Sequence, residues 1–349
     1  MPPSPWAFLD HPGPLAFAHR GGAGDWPENT MPAFEHAVAL GYRYVETDVH
    51  TTADGVLVAF HDDRLDRVTD RTGAIADLTW AEVSAAVVGG SGRVPLLEDI
   101  LGTFPDVRVN IDPKADRAVE PLAEVILRTG CVDRVCVGAF SDARLERLRA
   151  LVGDRLCSSL GPRGTAALIA ASRGVPTGQL SAACAQVPVA AKGVPITTPK
   201  LVAEAHDRGM QVHVWTIDEP SEMHRLLDLG VDGIMTDRPA ALRRVLEDRG
   251  RRRCVQSLHL SCAARADVRT QHQLVVGLVP RHRGNPNRRH QDRLRAAAAR
   301  CRRLRGRWMR STGCDNPGGQ SAWPWPPRDQ CEHRRFLDFG RPGGPVLQR

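Results

Sequence analysis

Several things are missing from this sequence of 349 residues, and each absence closes off a class of protein. No stretch approaches the ~18 consecutive apolar residues of a membrane-spanning helix. The opening MPPSPWAFLDHPGP has neither a basic stretch nor a sustained apolar run, so no secretory signal is expected. None of the nine cysteines forms a Cys-x-x-Cys pair. A chain this long does not need a disulfide scaffold, so a reducing compartment fits and the expected localisation is cytoplasmic. No Gly-x-Gly-x-x-Gly or Walker A pattern opens the first strand, which counts against nucleotide-binding folds.

Lysine is absent from residue 249 onward, where the chain instead carries 23 arginines and six acidic residues. The formal net charge of +7 therefore averages a body of −10 over residues 1–248 and a tail of +17. An acidic globular body is joined to an arginine-rich segment, and the two need separate explanations.

What the body does contain is hydrophobic residues in alternating patterns. The chain is 42% hydrophobic, enough for a sizeable core and too much for a mainly disordered protein. Strand-like runs occur at Leu15–His19, Tyr42–Val49, Val56–Phe60, Val107–Ile111, Val135–Phe140, Leu156–Leu160, Ala182–Val187, Gln211–Ile217 and Gly233–Thr236. Helical spacing appears at Met31–Leu40, Ala118–Thr129, Ala143–Val152, Lys200–Arg208, Pro220–Leu229 and Pro239–Glu247. Gly41, Gly130, Gly209 and Gly230 each follow a helical run, where a C-cap glycine is expected. Cys131, Cys136, Cys157 and Cys184 fall mostly in apolar runs, where cysteine behaves as a small buried hydrophobe.

This alternation predicts an α/β fold, a TIM-type (β/α)8 barrel, with an open doubly wound sheet as the second choice. Nine strand candidates compete for eight places. Val56–Phe60 is the odd one, because it follows its predecessor too closely for a helical crossover.

In such a barrel, catalytic groups sit at the C-terminal ends of strands. Here those ends carry His19-Arg20, then Glu46 and Asp48, then His61-Asp62, then Asp112 and Lys114, and on the eighth run Trp215. A lone histidine after an apolar strand is ordinarily a satisfied structural one, and a pair of acids is ordinarily a solvated edge. Glu46-x-Asp48, however, lies inside Tyr-Val-Glu-Thr-Asp-Val and puts both carboxylates on one face of a strand. Two like charges there raise one pKa unless a cation sits between them, and hard ions such as Mg²⁺ or Ca²⁺ take such oxygen ligands. Asp112-x-Lys114 repeats the spacing with one sign changed; it is either a third ligand with a phosphate-binding cation, or a surface ion pair. Carboxylates, a metal, two histidines, an arginine and a lysine form a coherent set for phosphoryl chemistry.

Ala18-His19-Arg20-Gly21-Gly22, Pro27-Glu28-Asn29-Thr30, Glu46-x-Asp48, DGVLVAFHDD from Asp54 to Asp63, Val214-Trp215-Thr216 and the closing GVDGIMTDRP together resemble the glycerophosphodiester phosphodiesterase family. The resemblance covers roughly residues 15–248 and implies a TIM barrel. It implies that His19 and His61 are the catalytic pair, that Glu46 and Asp48 are metal ligands, and that Arg20 contacts phosphate. The family's third acidic ligand lies in a Glu-x-Lys pattern that here reads Asp112-Pro113-Lys114, a departure that shortens the ligand by one methylene. Glu28 would touch the metal or the glycerol. Trp215 would wall the glycerol or simply pack the barrel, and Asp237 would cap the last helix. The function implied is hydrolysis of a small-molecule glycerophosphodiester to sn-glycerol 3-phosphate and an alcohol, with one divalent ion (Mg²⁺ or Ca²⁺) as cofactor and no obligatory protein partner. The alternatives are a lysophospholipase D or sphingomyelinase-D-like enzyme acting on lipid-bearing substrates. From a different class, the alternative is a nucleic-acid- or anionic-membrane-binding protein acting through its tail.

The domains expected are an N-terminal extension over 1–14, the barrel over 15–248 and a low-order tail over 249–349. The tail scatters Trp, Cys, His and Pro among its arginines, and Cys301, Cys314, Cys331 and His333 match no compact zinc spacing. Its composition is that of a disordered extension, or of a GC-rich coding region read out of frame. A chain ending at Asp248 is therefore expected to match the full chain in turnover and thermal midpoint. A large loss of either, measured side by side, would show that the tail is part of the working protein.

Overall fold

Short apolar strands separated by helices pair in parallel, because each crossover returns the chain to the same end of the sheet. The computed structural model describes residues 6–250. The chain divides into a unit of Met1–Arg249 and a second of Gly250–Arg349, and the fold described below is that of the first. Expectations for the arginine-rich tail lie outside the described residues.

Nine strands make up the main sheet: β1 (Leu15–Ala18), β2 (Tyr44–Thr51), β3 (Leu57–Ala59), β4 (Arg108–Pro113), β5 (Val135–Val137), β6 (Cys157–Ser158), β7 (Cys184–Pro188), β8 (Gln211–Trp215) and β9 (Gly233–Thr236). All but β3 pair in parallel in chain order, and β9 returns to β1 with Leu15 opposite Gly233. The ring closes between β6 and β7. There a parallel bridge joins Ser159 to Cys184, with Ala183 N donating to Ser158 O at 3.0 Å and Leu160 N to Cys184 O at 2.9 Å. The result is an eight-stranded parallel barrel.

The ninth candidate has a separate place. β2 runs three residues beyond Asp48, turns at Asp54-Gly55, and returns as β3, antiparallel and outside the barrel, with Val49 opposite Ala59. His61 is therefore not at the end of a barrel strand, as the sequence order suggests. The return leg brings it back level with Asp48, whose carbonyl accepts from Phe60 N at 3.0 Å. Trp215 accordingly ends the seventh barrel strand, not the eighth.

The helices are α1 (Met31–Ala39), α2 (Trp80–Ser84), α3 (Leu97–Thr103), α4 (Val119–Thr129), α5 (Asp142–Val152), α6 (Pro162–Ala171), α7 (Pro199–Asp207), α8 (Pro220–Leu229) and a last one, α9, over residues 239–250. Six of these match helical runs expected from spacing. The short α2, which starts at a Thr79/Glu82 capping box, and α3 and α6 do not. In α6 the sequence PRGTAALIAA has almost no polar face, so periodicity is silent there. Gly41, Gly130, Gly209 and Gly230 all follow helices with positive φ, as a C-cap requires.

The end of the barrel opposite the strands' C-termini is sealed by the N-terminal segment. A single 3₁₀ turn, Ala7–Leu9, buries Phe8 and Leu9 among Phe17, Tyr44, Cys136, Cys157 and Cys184. Phe8 meets Tyr44 edge-on at 5.4 Å, and the Tyr44 hydroxyl donates to Phe8 O at 2.9 Å. Burial around that hydroxyl pushes the Tyr44 pKa up to about 12, despite the nearby Arg108 guanidinium. All four body cysteines are buried and free. Phe8→Ala should cost about 3–5 kcal/mol, the range for emptying a buried aromatic site. Urea unfolding monitored by tryptophan fluorescence checks this, and an unchanged midpoint would show that the turn is dispensable.

Candidate active site

At the C-terminal end of the barrel lies a cavity of about 480 Å³. Its acidic floor comes from two adjacent strands. β2 supplies Glu46 and Asp48 on one face, and the β2–β4 register sets Asp112 directly opposite Asp48. Asp48 is only 2% exposed and Glu46 5%. Lys114 Nζ bridges Asp48 Oδ1 at 2.8 Å and Asp112 Oδ2 at 2.7 Å, while Arg20 Nε lies 3.2 Å from Asp48 Oδ2. Asn29 Nδ2 donates to Asp48 Oδ2 at 3.2 Å, and Asn29 is itself held by the Thr47 hydroxyl at 2.8 Å.

These charges set the ionisation of the floor. Burial, reinforced by the neighbouring Asp48, pushes the Glu46 pKa up to about 7. Burial would raise Asp48 too, but Lys114 and Arg20 outweigh it and hold that carboxyl below its ordinary value. Asp112 goes up, because its burial exceeds what Lys114 offsets. Lys114 goes up as well: its two carboxylates overcome the desolvation that opposes its charge. Two buried polar atoms at the cavity have no hydrogen-bond partner, the Asp112 Oδ1 acceptor and the Arg20 Nε donor, whose N–H is not aimed at Asp48 despite the short distance.

The two histidines face the cavity from different elements, and a carboxylate holds each by Nδ1. His19 Nδ1 is 2.7 Å from Asp237 Oδ1, with its Nε2 3.7 Å from Glu46 Oε2. Burial disfavours the imidazolium of His19, but Glu46 and Asp237 together raise its pKa. His61 Nδ1 is 2.6 Å from Asp62 Oδ1. Asp237 therefore does not cap α9, as its position suggested; the carbonyl of Arg238 accepts the first helical N–H groups. Asp218 Oδ1 in turn accepts from Asp237 N at 2.8 Å and the Thr236 hydroxyl at 2.9 Å, which fixes the end of β9.

Arg20 has φ 51° and Asn29 φ 54°, left-handed values that cost non-glycine residues about 1–3 kcal/mol each. Both are held there: Arg20 N donates to Glu46 Oε2 at 3.0 Å, and Asn29 N to Arg20 O at 2.9 Å. Glu28 does not line the cavity. It stands behind Arg20, accepting from Arg20 Nη1 at 3.0 Å and from Arg67 Nη1 and Nη2 at 2.9 and 2.7 Å. Arg67 also donates to both oxygens of Asp62, at 2.6 and 3.0 Å, and drives the Asp62 pKa down to about 2. One guanidinium thus clamps the carboxylates behind Arg20 and behind His61.

The remaining wall is uncharged. Trp215, half-buried, lines the cavity and also packs on the barrel core. Its ring meets Phe140 edge-on at 5.7 Å, and Phe140 is 68% exposed. Deeper in, Gln186 Nε2 donates to Asn110 Oδ1 at 2.8 Å. Sequence reasoning missed Arg67, Phe140 and Gln186, the supporting role of Asn29, and the contact of Asp237 with His19. Asn29, inside the Pro27–Thr30 motif, and Asp237, inside the closing GVDGIMTDRP motif, had a sequence signal that could have found them.

Three acids, two carboxylate-oriented histidines and two cations at the C-terminal mouth of a (β/α)8 barrel form a coherent set for phosphoryl chemistry. Residues 19–241 match the Glycerophosphoryl diester phosphodiesterase family. A protein named probable glycerophosphodiester phosphodiesterase 2, from Mycobacterium tuberculosis, is 46% identical over 252 residues, covering 70% of this chain and 94% of that protein. The Bacillus subtilis protein named YqiK is 31% identical, covering 64% and 94%. A solved glycerophosphodiester phosphodiesterase structure from Agrobacterium tumefaciens shares the fold at a TM-score of 0.56 and 24% identity, over 66% of this chain and 98% of that one. The chain belongs to the glycerophosphoryl diester phosphodiesterase family, and it is an enzyme of that class. Among the described residues no helix is long and apolar enough to cross a membrane.

The double clamp generates a prediction. Arg67→Ala should lower kcat/KM roughly 10²-fold, the scale of a small misplacement of reacting groups, while the fold survives. Arg67→Lys should rescue little, because one ammonium cannot serve two bidentate carboxylates. Steady-state kinetics decide this, and wild-type turnover in Arg67→Ala would remove the clamp from the site.

Proposed function

We propose that this cavity hydrolyses glycerophosphodiesters to sn-glycerol 3-phosphate and an alcohol, with His19 and His61 as the proton-transfer pair. The observation that carries the reading is the pair of unpartnered buried atoms. Arg20 Nε is a donor without an acceptor, which a phosphate oxygen would satisfy, and Asp112 Oδ1 is an acceptor without a donor, which a cation would satisfy.

With Asp237 and Asp62 holding the two Nδ1 atoms, each histidine keeps Nε2 for the substrate. One Nε2 takes the proton of the glycerol 2-hydroxyl as that oxygen attacks phosphorus. The bond from phosphorus to the alcohol breaks, and the other histidine protonates the departing alkoxide. Water then opens the cyclic phosphate, with the histidines exchanging roles. Arg20 and Lys114 hold the phosphate oxygens, and Trp215 walls the glycerol. Glu28 acts through Arg20.

Glu46, Asp48 and Asp112 are the residues that would hold a divalent ion. Their oxygen donors suit a hard cation such as Mg²⁺ or Ca²⁺. The high Glu46 pKa and the lone Asp112 oxygen mark a cluster short of positive charge. Among the described residues no three ligating groups converge on one point, and Lys114 supplies the charge between Asp48 and Asp112. A bound ion supplies further positive charge against the phosphate as it forms and breaks bonds. The working unit in this reading is residues 6–248, since the Ala7–Leu9 turn belongs to the barrel core, with a small-molecule substrate and no protein partner. Four free buried cysteines fit a cytoplasmic setting.

Turnover of glycerophosphocholine, with glycerol 3-phosphate and choline both quantified, tests the proposal. His19→Ala and His61→Ala should each lose about 10²–10⁴-fold with folding retained. Chelator should abolish activity, and a divalent salt should restore it. Asp112→Glu should be tolerated where Asp112→Asn weakens metal affinity. Near-normal turnover in a folded histidine variant removes that residue from the mechanism, and full activity in metal-free protein removes the ion.

A further inference from the structure

Lysine is scarce in this chain, and its three positions are not scattered. Lys114 lies in the active site, while Lys192 and Lys200 belong to the segment that follows β7. Lys192 sits at the tip of a small hairpin, Ala190–Ala191 against Val194–Pro195, and Lys200 is the second residue of α7. Lys200 lines a cavity of about 440 Å³ together with Arg173, two residues past the end of α6.

Both side chains are exposed, and neither has an ion pair or a hydrogen bond among the described residues. Other long cations of this acidic body are held by carboxylates: Arg128 by Glu98, Arg208 by Glu204 and Arg243 by Glu247. No acid lines the cavity of Arg173 and Lys200. Like charges brought to one place repel, and an anion between them relieves the repulsion. The Thr198 hydroxyl, in the same wall, accepts from Leu201 N at 3.2 Å and keeps its own proton to donate. Positive charge and free donors together call for an anion.

This cavity adjoins the active site, because Ile169 lines both. Thr165, Ala166 and Ile169 form one stripe of α6 along the active-site wall. From Thr165 to Ser172 the helix advances about 10 Å at 1.5 Å per residue, so a group held by the two cations stands several bonds beyond the phosphorus. Glu46, Asp48 and Asp112 line only the active-site cavity, on its barrel floor. In the reaction proposed above Trp215 walls the glycerol, which leaves the α6 side for the alcohol. A cationic alcohol meets like charge at the end of that path. An anionic one finds Arg173 and Lys200.

We propose that Arg173 and Lys200 form a second subsite, which takes a phosphate carried by the alcohol that the enzyme releases. The subsite rests on the reaction proposed above and leaves its chemistry unchanged. The phosphorus–oxygen bond to the alcohol breaks, and water supplies the hydroxyl to phosphorus and the proton to the alkoxide. The products are sn-glycerol 3-phosphate and a phosphorylated alcohol, whose own phosphate monoester stays intact.

The test uses the full chain and measures sn-glycerol 3-phosphate release from glycerophosphoinositol, glycerophosphoinositol 4-phosphate and glycerophosphocholine. At low ionic strength kcat/KM should be about tenfold higher for the 4-phosphate than for glycerophosphoinositol, with glycerophosphocholine lowest, and added salt should shrink the difference. Arg173→Glu and Lys200→Glu should each cost the 4-phosphate about fivefold or more, mainly in KM. Glycerophosphoinositol turnover, the folding control, should be unchanged in both, and Lys200→Arg should keep the preference. Equal rates for the two inositol substrates, or variants that leave the preference intact or slow both substrates alike, overturn the subsite and leave the basic reaction standing. Release from none of the three overturns the reaction itself, and the subsite with it.

Discussion

Asp48, at 2% exposure, is the charge on which the rest of the site depends. An isolated carboxylate at that depth would cost several kcal/mol unless countercharges and hydrogen bonds surrounded it. Lys114, Arg20 and Asn29 supply them, and they come from two segments distant in sequence. The demand of one buried charge thus ties β2 to the end of β4 and to the loop between β1 and α1. Glu46, two residues away on the same face, lies in the same low-dielectric space with fewer countercharges, and its pKa rises accordingly. Two acids in one strand are driven apart in ionisation by their neighbours.

A second layer converts this floor into a reactive arrangement. Each histidine ring is oriented by an acid at Nδ1, and each of those acids is fixed in turn: Asp237 through its backbone by Asp218, and Asp62 by Arg67. Arg67 also reaches Glu28 and through it Arg20, so the Arg20 side and the His61 side share one anchor. Such support matters because reacting groups displaced by about an ångström lose orders of magnitude in rate. The strained backbones of Arg20 and Asn29 belong to the same frame, held by hydrogen bonds that only the folded site provides.

The two halves of the cavity differ in chemistry. Every formal charge lies on the barrel floor or the loops at its edge, whereas the α6 side and the Trp215–Phe140 pair are apolar. That division puts the charged groups on one side and an apolar wall on the other. The floor is built from strands; the apolar side comes from a helix, from the last residue of β8 and from a loop residue after β5.

The sequence by itself determined the class of fold and the ingredients of the chemistry. Alternation of apolar runs at strand and helix length requires a parallel sheet with crossovers, and Glu46-x-Asp48 puts two acids on one face because side chains alternate along a strand. Those signals are local, so they survive in one dimension. The tertiary structure decided what depends on pairing between distant segments. The antiparallel return of β3 brings His61 level with Asp48, although sequence order places it at the end of a separate barrel strand. Asp237, 218 residues from His19, becomes its hydrogen-bond partner only when β9 closes against β1. Arg67 and α6 carry no periodic signal, the first because its partners lie on other elements, the second because its faces are nearly equal in polarity. Periodicity reports which face a residue takes on its own element; which element that face meets is set by closure of the barrel.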